Sequence, residues 1–211
     1  MPKTTVCIEK LESRSLLSGG RVSVTVDAGL TAHLIGDNQD NNLAVVLAPG
    51  IGYYIVGQNG TLINGKQAIA IQTSAALHFD IHTGNGKDTV SFSGVFATQN
   101  LSIDTGNGDD SVILSQTTHY GNASILTGNG NDSIVLSAIH LSGNLNVDTG
   151  NGKDSITVPN PIQIDGSSTI DGGKGKNSLA GASGLSVGGS SVVAHTTALE
   201  RVAGKKKKQH H

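Results

Sequence analysis

The sequence is poor in cysteine, aromatic residues and charge, and each shortage excludes a class of protein. Cys7 is the only cysteine among the 211 residues, which excludes a disulfide framework and a cysteine-ligated metal site. Trp is absent and aromatic residues make up 3 %, whereas nucleic-acid binding needs a basic face with residues that stack on bases. No stretch reaches the roughly 20 apolar residues of a membrane helix. We therefore expect neither a nucleic-acid partner nor a membrane span.

What the chain has in abundance is glycine, with 29 residues, together with Asp, Asn, Ser and Thr. These residue types mark turns and strand surfaces, whereas Ala, Leu, Glu, Lys, Gln and Arg favour helices. The composition predicts an all-β chain with many turns. A run of four lysines, Lys205–Lys208, is interpreted as part of a solvated tail, and a nonspecific electrostatic anchor is the alternative.

A six-residue motif, Thr-Gly-Asn-Gly-x-Asp, repeats along the middle of the chain. It occurs four times, each copy 22 positions after the last, at Thr83–Asp88, Thr105–Asp110, Thr127–Asp132 and Thr149–Asp154. A fifth, degraded copy at Gly172–Asn177 is displaced by one extra residue. A merely glycine-rich composition would not keep one interval in this way.

The residues between the motifs repeat as well. Apolar residues recur at i and i+2 in two places of each unit, which is typical of strands with one buried face. The columns are Val90, Val112, Ile134, Ile156; Phe92, Leu114, Leu136, Val158; Leu101, Ala123, Leu145; and Ile103, Ile125, Val147. Because one unit cannot bury its own face, the units must stack, in register and about 4.8 Å apart. Asn100, Asn122 and Asn144 form a further column, which predicts a ladder of side-chain amides.

This pattern predicts an all-β parallel β-solenoid whose coils repeat every 22 positions, right-handed by analogy with β-helices of similar coil length. The alternative, an antiparallel sandwich, does not normally keep one period through four units. We divide the chain into an export-like segment (1–21), atypical coils and a cap (22–80), regular repeats (81–177), a C-terminal cap (178–203) and a disordered basic tail (204–211).

The N-terminal residues Ile8–Gly19 read Ile-Glu-Lys-Leu-Glu-Ser-Arg-Ser-Leu-Leu-Ser-Gly. They resemble the LExRxLLS segment that opens many secreted and surface proteins of planctomycete bacteria, where it is taken to be an export or sorting element. The stretches around Gly36–Leu43 and Gly57–Gly65 are similar to β-rich repeat regions of the same proteins. The resemblance implies a secreted or cell-surface location and no defined activity.

The Gly-Asn-Gly-x-Asp turns are also similar to those of calcium-binding RTX repeats, in which glycine-rich turns and aspartates hold Ca²⁺ between coils. The likeness implies Asp88, Asp110, Asp132 and Asp154 as metal ligands, with Asp104 and Asp148, and also Asp109, close enough in sequence to supplement them. RTX repeats, however, have a period of nine residues and a turn at both edges of each coil, so the patterns differ.

Two interpretations of the aspartates stay open. Stacked carboxylates would repel one another, by roughly 3.5 kcal/mol per neighbouring pair at an effective dielectric constant of 20. Calcium would offset this, because it takes six to eight oxygen ligands. Alternatively, an aspartate that ends a turn accepts hydrogen bonds from nearby backbone N–H groups and needs no ion.

The sequence favours a non-catalytic structural or binding module over an enzyme. Some β-helices degrade polysaccharides, but such sites need clustered carboxylates, with Lys or Arg or as a pair flanking the bond, and no Arg lies between Arg21 and Arg201. His119 and His140 are expected in an exposed mid-coil loop. Rows of Ser, Thr and Asn suit contact with carbohydrate or other extracellular polymers, so an adhesin remains an alternative, as does the enzyme. The tyrosines Tyr53, Tyr54 and Tyr120 are interpreted as packing or cap residues.

Overall fold

The alternating apolar residues of each repeat lie in strands that pair with the same strands of the next repeat. The computed structural model describes residues 19–96, 98–198 and 203–204, which form a β-solenoid of about five turns. No α-helix occurs in this part of the chain, although a short 3₁₀ turn spans Ala182–Gly184. The all-β parallel solenoid predicted from the sequence is thereby confirmed. None of the described helical segments has the length and apolarity that a membrane crossing requires.

The strands follow one another closely. The first seven are β1 Arg21–Val26, β2 Thr31–Ile35, β3 Asn42–Ala48, β4 Gly52–Gly57, β5 Leu62–Ile63, β6 Ala68–Gln72 and β7 His78–His82. The next nine are β8 Thr89–Ser93, β9 Leu101–Asp104, β10 Ser111–His119, β11 Ala123–Leu126, β12 Ser133–Leu141, β13 Leu145–Asp148, β14 Asn151–Gly152, β15 Ser155–Asn160 and β16 Ile162–Ile164. The last seven are β17 Ser168–Asp171, β18 Lys174–Gly175, β19 Asn177–Ala180, β20 Leu185–Val187, β21 Ser191–Ala194, β22 Thr196–Ala198 and β23 Ala203–Gly204.

Two sheets face each other across the core. Sheet 1 contains β3, β8, β10, β12, β15, β19 and β22, and sheet 2 contains β2, β7, β9, β11, β13, β17 and β21, all paired in parallel in that order. In the middle of the stack Ser111 pairs with Ser133 and Ala123 with Leu145, so the pairing follows the period of the sequence motif. Each coil therefore runs from sheet 2 through the Thr-Gly-Asn-Gly turn into sheet 1 and back.

The extra residue of the fifth repeat is absorbed in β15. Val135 pairs with Thr157, but Ser137 pairs with Asn160, so the register shifts across this point. Pro159 lies inside the bulge, where the missing N–H of proline does not interrupt the ladder. The next coil keeps the longer spacing, as Ser168 pairs with Ser191. The last pairings, of Asn177 with Thr196 and of Ser186 with Ala203, span shorter intervals.

The core is the strip between the two sheets, and the apolar columns predicted from the sequence line it. All fourteen residues of those columns are buried. At the N-terminal end the core contains aromatic rings. Tyr53 packs edge to face against Phe79, and Phe79 packs edge to face against Phe92, with ring centroids 5.3 Å apart in both contacts. The core side chains are thus larger in the first regular coil and in the strands that precede it.

Antiparallel strands close the N-terminal end. β3 pairs in parallel with β8, but from Asn42 to Thr89 the interval is more than twice the period of the regular coils. The additional chain makes an antiparallel meander of β3, β4 and β6, while β1 pairs antiparallel with β2. β6 is therefore the end strand of sheet 1, and β5 is the end strand of sheet 2. Both lie within residues 22–80, for which the sequence predicted atypical coils and a cap.

The C-terminal region continues both sheets to β21, β22 and β23. β23 includes Gly204, which pairs with Val187, although the sequence analysis assigned this residue to the disordered tail. Residues 205–211, the rest of that tail, lie outside the described residues, as do residues 1–18 of the export-like segment.

His119 was expected in an exposed loop, and that prediction is wrong. It is fully buried at the end of β10, near the ring of Phe92, and its nitrogens bond the hydroxyls of Thr98 and Thr117. In the following coils its position in the column is taken by Leu141, Ile164 and Val187. Burial lowers the pKa of His119 to about 4, since the charged imidazole would be desolvated. His140 is partly exposed, as expected, but it lies in β12 rather than in a loop.

Replacing His119 by leucine should therefore make the fold less sensitive to acid. A histidine with a depressed pKa stabilises the fold fully above its unfolded pKa of about 6.5, and this contribution, about 2–3 kcal/mol, is lost between there and pH 4. In thermal melts the Tm of His119→Leu, relative to the parent protein, should rise as the pH falls. A Tm difference that does not change with pH would contradict this.

Candidate functional site

The Thr-Gly-Asn-Gly-x-Asp turns stack into the most regular surface of the molecule, and their glycines are needed for two reasons. The first glycine of each turn has a positive φ, for example 93° at Gly106 and 87° at Gly128. The second glycine lies against the coil below, so that a Cβ on Gly130 would stand 1.6 Å from the carbonyl oxygen of Gly108. No side chain fits there. Glycine is thus required both for backbone conformation and for the close approach of coils.

Asparagines at the centre of the turns form an exposed amide ladder. The Nδ2 of Asn107, Asn129 and Asn151 each donates to Oδ1 of the asparagine one coil earlier, at 2.7–2.9 Å. The predicted column of Asn100, Asn122 and Asn144 is also a ladder, in which backbone N–H groups donate to the side-chain oxygens and the Asn144 Nδ2 also donates to Asn122 Oδ1, at 3.2 Å. The N–H of Asn122 and of Asn144 donates to Oδ1 of the preceding member, at 2.8 Å in both cases.

The aspartates that end the turns point into the protein rather than toward solvent. Asp88, Asp110, Asp132 and Asp154, here called the aspartate column, are at most 2 % exposed. In each, Oδ1 accepts the backbone N–H of the equivalent residue one coil earlier, at 2.7–2.9 Å. The column is thus a continuous ladder that links five coils through one carboxyl oxygen per coil.

The column ends in asparagine on both sides. Asn41 occupies the aspartate position of the coil before Asp88, and its N–H donates to Asp88. Asn177 occupies the position after Asp154, and its Oδ1 accepts the Asp154 N–H at 2.9 Å. Both asparagines are buried. At Asn177 a neutral amide oxygen therefore makes the same ladder hydrogen bond as the carboxyl group, whereas the Oδ1 of Asn41 is buried without a partner.

The second carboxyl oxygen, Oδ2, is buried without a hydrogen-bond partner in all four aspartates. Burial without compensation favours the uncharged form of a carboxyl group. The pKa of Asp110 is raised to about 7, mainly by burial and also by the neighbouring carboxyls of Asp88 and Asp132, although hydrogen bonds from the Asp88 N–H and the Thr105 hydroxyl lower it. Burial also raises the pKa of Asp88 and of Asp132.

The other aspartates proposed as calcium ligands lie elsewhere. Asp104 and Asp148 are at the ends of β9 and β13 with exposed or half-buried side chains, and Asp109 is bonded to Asn131 on the outside of the turn. Each coil therefore brings one carboxyl to the column, and its Oδ1 already accepts an N–H. Among the described residues no three His, Cys, Asp or Glu side chains form a group that could hold a metal. This donor set does not fit the six to eight oxygens that calcium takes, and calcium binding stays a prediction.

A cluster of alternating aspartates and histidines, which sequence reasoning missed, lies on the outer face of sheet 2. Asp80 receives His33 Nδ1 on one oxygen and His82 Nε2 on the other, both at 3.1 Å. Asp27 lies 3.3 Å from the other nitrogen of His33, and Asp104 lies 3.7 Å from that of His82. Hydrogen bonds to Asp27 and Asp80 raise the pKa of His33. The register of β2 with β7 brings His33 beside Asp80, and that of β7 with β9 brings Asp104 beside His82.

Phe96 is a further residue that the sequence did not single out, because it lies outside the repeated columns. Its side chain is 50 % exposed and lines two adjoining grooves of about 500 and 730 Å³. The larger groove runs along the coils past polar side chains, those of Gln116, Thr118, His140, Gln163 and Ser186. Tyr53 is buried, as expected for a packing residue, whereas Tyr120 is largely exposed.

Comparison with known proteins gives no family for this chain. No protein-family model, no curated protein and no solved structure matches it. Conclusions about its role therefore rest on its own residues.

The turn glycines allow a direct test of how closely the coils approach. Gly130→Ala should cost more than about 4 kcal/mol, because the methyl group would overlap a backbone oxygen that cannot move away. Gly94→Ala is the matched control, since Gly94 also has a positive φ, 62°, but nothing lies within 4 Å of the place that its methyl group would take. We expect it to cost about 1–2 kcal/mol. Equal losses in denaturant unfolding would show that φ alone selects glycine.

Proposed function

We propose that this chain is a non-catalytic structural module of the cell exterior, in which the solenoid acts as a rigid scaffold. The observation that supports this is the use of its repeated polar residues. Thr83, Thr105 and Thr127 each donate the side-chain hydroxyl to the carbonyl of the equivalent threonine one coil later, at 3.2–3.3 Å. The two asparagine ladders and the aspartate column also bond from coil to coil.

This use of polar residues differs from that in a catalytic site. A catalytic or ligand-binding group has to present a free hydrogen-bonding atom to its substrate. Here the residues that repeat in every coil are directed along the stack, so the repeat maintains the coil-to-coil contacts. Such a repeat supports a mechanical or spacing role, in which stiffness is the property that matters.

The location rests on the N-terminal resemblance. Ile8–Gly19 resemble the export-associated segment of planctomycete surface proteins, and the amide, hydroxyl and glycine surface suits contact with cell-surface or extracellular polymers. We propose these polymers as partners, and neither nucleic acid nor a membrane span.

Two measurements test the proposal: the location of the protein on cells, and the resistance of the solenoid to trypsin. Antibodies against residues 81–177 should label intact cells of the producing organism, and trypsin should leave Lys87 and Lys153 uncut. The backbone N–H of Lys87 donates to Asp40 at 2.8 Å and that of Lys153 to Asn131 at 3.1 Å, which holds both cleavage sites in the stack. Labelling only after the cells are permeabilised, or rapid cleavage at Lys87, would contradict it. Release of reducing ends from polysaccharides would instead favour the enzyme.

A carbohydrate-binding role is the second candidate, and Phe96 favours it. An exposed aromatic ring beside amide and hydroxyl side chains offers an apolar face for a sugar ring and hydrogen bonds for its hydroxyl groups. The groove follows the stack, and this direction suits a linear polymer.

Phe96→Ala should weaken binding of the protein to insoluble polysaccharides in co-sedimentation by about tenfold, since the loss of one stacked ring is worth about 1–1.5 kcal/mol. Leu126→Ala is the control, because Leu126 is also exposed but lies on sheet 2. If both variants sediment like the parent protein, the groove does not bind these polymers.

A further inference from the structure

The aspartate column has no countercharge among the described residues. Its carboxyls face one another along the stack, and the groups packed beside them are the uncharged hydroxyls of Thr83, Thr105 and Thr127 and the amides of Asn41 and Asn177. The nearby charged groups on the outside of the turns include Asp40, which acts on Asp88, and Asp109, which acts on Asp132, and both are negative. Lys87 and Lys153 precede two of the aspartates in sequence, but their side chains are exposed. Ionised carboxylates spaced by about 4.8 Å in this interior would repel one another strongly.

Asn41 and Asn177, at the two ends of the aspartate column, show which groups surround the place that Oδ2 takes in an aspartate. At Asn41, Nδ2 donates to the carbonyls of Asp37, Gln39 and Thr83. At Asn177, Nδ2 donates to the carbonyls of Gly172 and His195. At both ends a hydrogen-bond donor therefore meets backbone carbonyl oxygens, one of them in the next coil.

In the aspartate coils Oδ2 occupies the place of that Nδ2. Because the coils stack in register, the equivalent next-coil carbonyls are those of Thr105, Thr127, Thr149 and Gly172. These carbonyls accept the threonine hydroxyls at 3.0–3.3 Å. The hydroxyls of Thr83, Thr105 and Thr127 also lie beside the carboxyls of Asp88, Asp110 and Asp132 and lower their pKa. Oδ2 has no hydrogen-bond partner in this arrangement, so an ionised Oδ2 would have as donor only a hydroxyl that it shares with a backbone carbonyl. A protonated Oδ2 would be a donor, like the amide at either end.

We propose that the aspartate column holds protons between the coils, forming a latch that is closed while the carboxyls are neutral and loosens the solenoid as they ionise. Each proton would let Oδ2 donate to a backbone carbonyl or threonine oxygen while Oδ1 keeps its N–H bond. The proposal does not depend on the location or the scaffold role proposed above. In this proposal the stacked carboxyls avoid mutual repulsion because they are protonated, and no bound calcium ion is needed.

The raised pKa of Asp110, about 7, fixes the direction of the effect. A carboxyl whose pKa is raised by folding binds its proton more tightly in the folded state, so its stabilising contribution is complete below the ordinary value of 3.8 and is lost as the pH rises toward 7. Asp88 and Asp132 act in the same direction. His119 acts oppositely, because its pKa is lowered. A comparison at each pH between proteins that all retain His119 removes its contribution.

The test is the double variant Asp110→Asn/Asp132→Asn, which extends the side chain found at Asn41 and Asn177 into the column. Melts followed by circular dichroism in EDTA should give Tm values close to the parent protein at about pH 4. At about pH 8 the variant should melt higher by about 5 °C or more, because it cannot ionise. Asp109→Asn is the matched control, since Asp109 is the exposed neighbour of Asp110 and acts on Asp132 only through its charge, so its rise should be much smaller.

Two outcomes of the melts would overturn the latch. The first is a variant that melts below the parent at about pH 8, which would mean that the fold requires the carboxylate. The second is a rise in the parent's Tm with millimolar CaCl₂ that the double variant lacks, which would support calcium instead. Infrared spectra of the parent protein with ¹³C-labelled aspartate provide a measurement that needs no variant. A protonated-carboxyl band should persist at about pH 6, where ordinary aspartates have ionised, and its absence there would sink the proposal.

Discussion

The spacing between neighbouring coils, set by parallel backbone hydrogen bonds at about 4.8 Å, is the constraint on which the rest of the molecule depends. Backbone at that distance leaves no room for a side chain between turns, which explains the glycines at Gly108, Gly130 and Gly152. It also places each residue directly above its counterpart one coil earlier. Residues that recur at the period of the repeat therefore stack into columns, and the identical side chains of a column must pack against one another favourably.

Apolar and amide side chains meet this condition easily. Aliphatic columns such as Val112, Ile134 and Ile156 bury one another, and the asparagine ladder satisfies each amide with its neighbour. Carboxyl groups are the exception, since identical charges stacked in a dry interior repel. The structure lowers that cost in part by donating a backbone N–H to each Oδ1, but it leaves each Oδ2 without a partner. This imbalance distinguishes the aspartate column from the other ladders.

Much of this architecture could be predicted from the sequence because the repeat is a one-dimensional signal. A fixed interval of 22 positions, with apolar residues at i and i+2, specifies the pairing register and the buried columns without any knowledge of loops. The direction of Asp110 and its equivalents could not be obtained in this way. The turn before Asp110 holds two glycines with positive φ, Gly106 and Gly108, and the interval of the repeat does not specify how such a turn leads into β10.

Residues that occur once were harder to predict than residues that repeat. His119 interrupts a column that continues as Leu141, Ile164 and Val187, and a polar residue at a core position gives no sign that two threonine hydroxyls satisfy it. The cluster around Asp80 depends on the pairing of β2 with β7 across a long interval, which the period of the regular repeats does not contain. Asn177 could be aligned with the aspartates from the sequence, as the last residue of the degraded fifth copy, whereas Asn41 could not, because the interval before Asp88 is more than twice the period.

The opposed titrations of His119 and the aspartate column bear on the conditions under which such a chain would be most stable. The buried imidazole favours higher pH, whereas carboxyls with raised pKa favour lower pH. The surface pair of His33 with Asp27 also favours lower pH, because the hydrogen bond raises the pKa of the histidine. Since the amide oxygen of Asn177 makes the same ladder bond as the carboxyl groups, that bond alone does not require an aspartate. What distinguishes Asp88, Asp110 and Asp132 is a raised pKa, and through them a scaffold of otherwise neutral ladders would gain a dependence on the acidity of its surroundings.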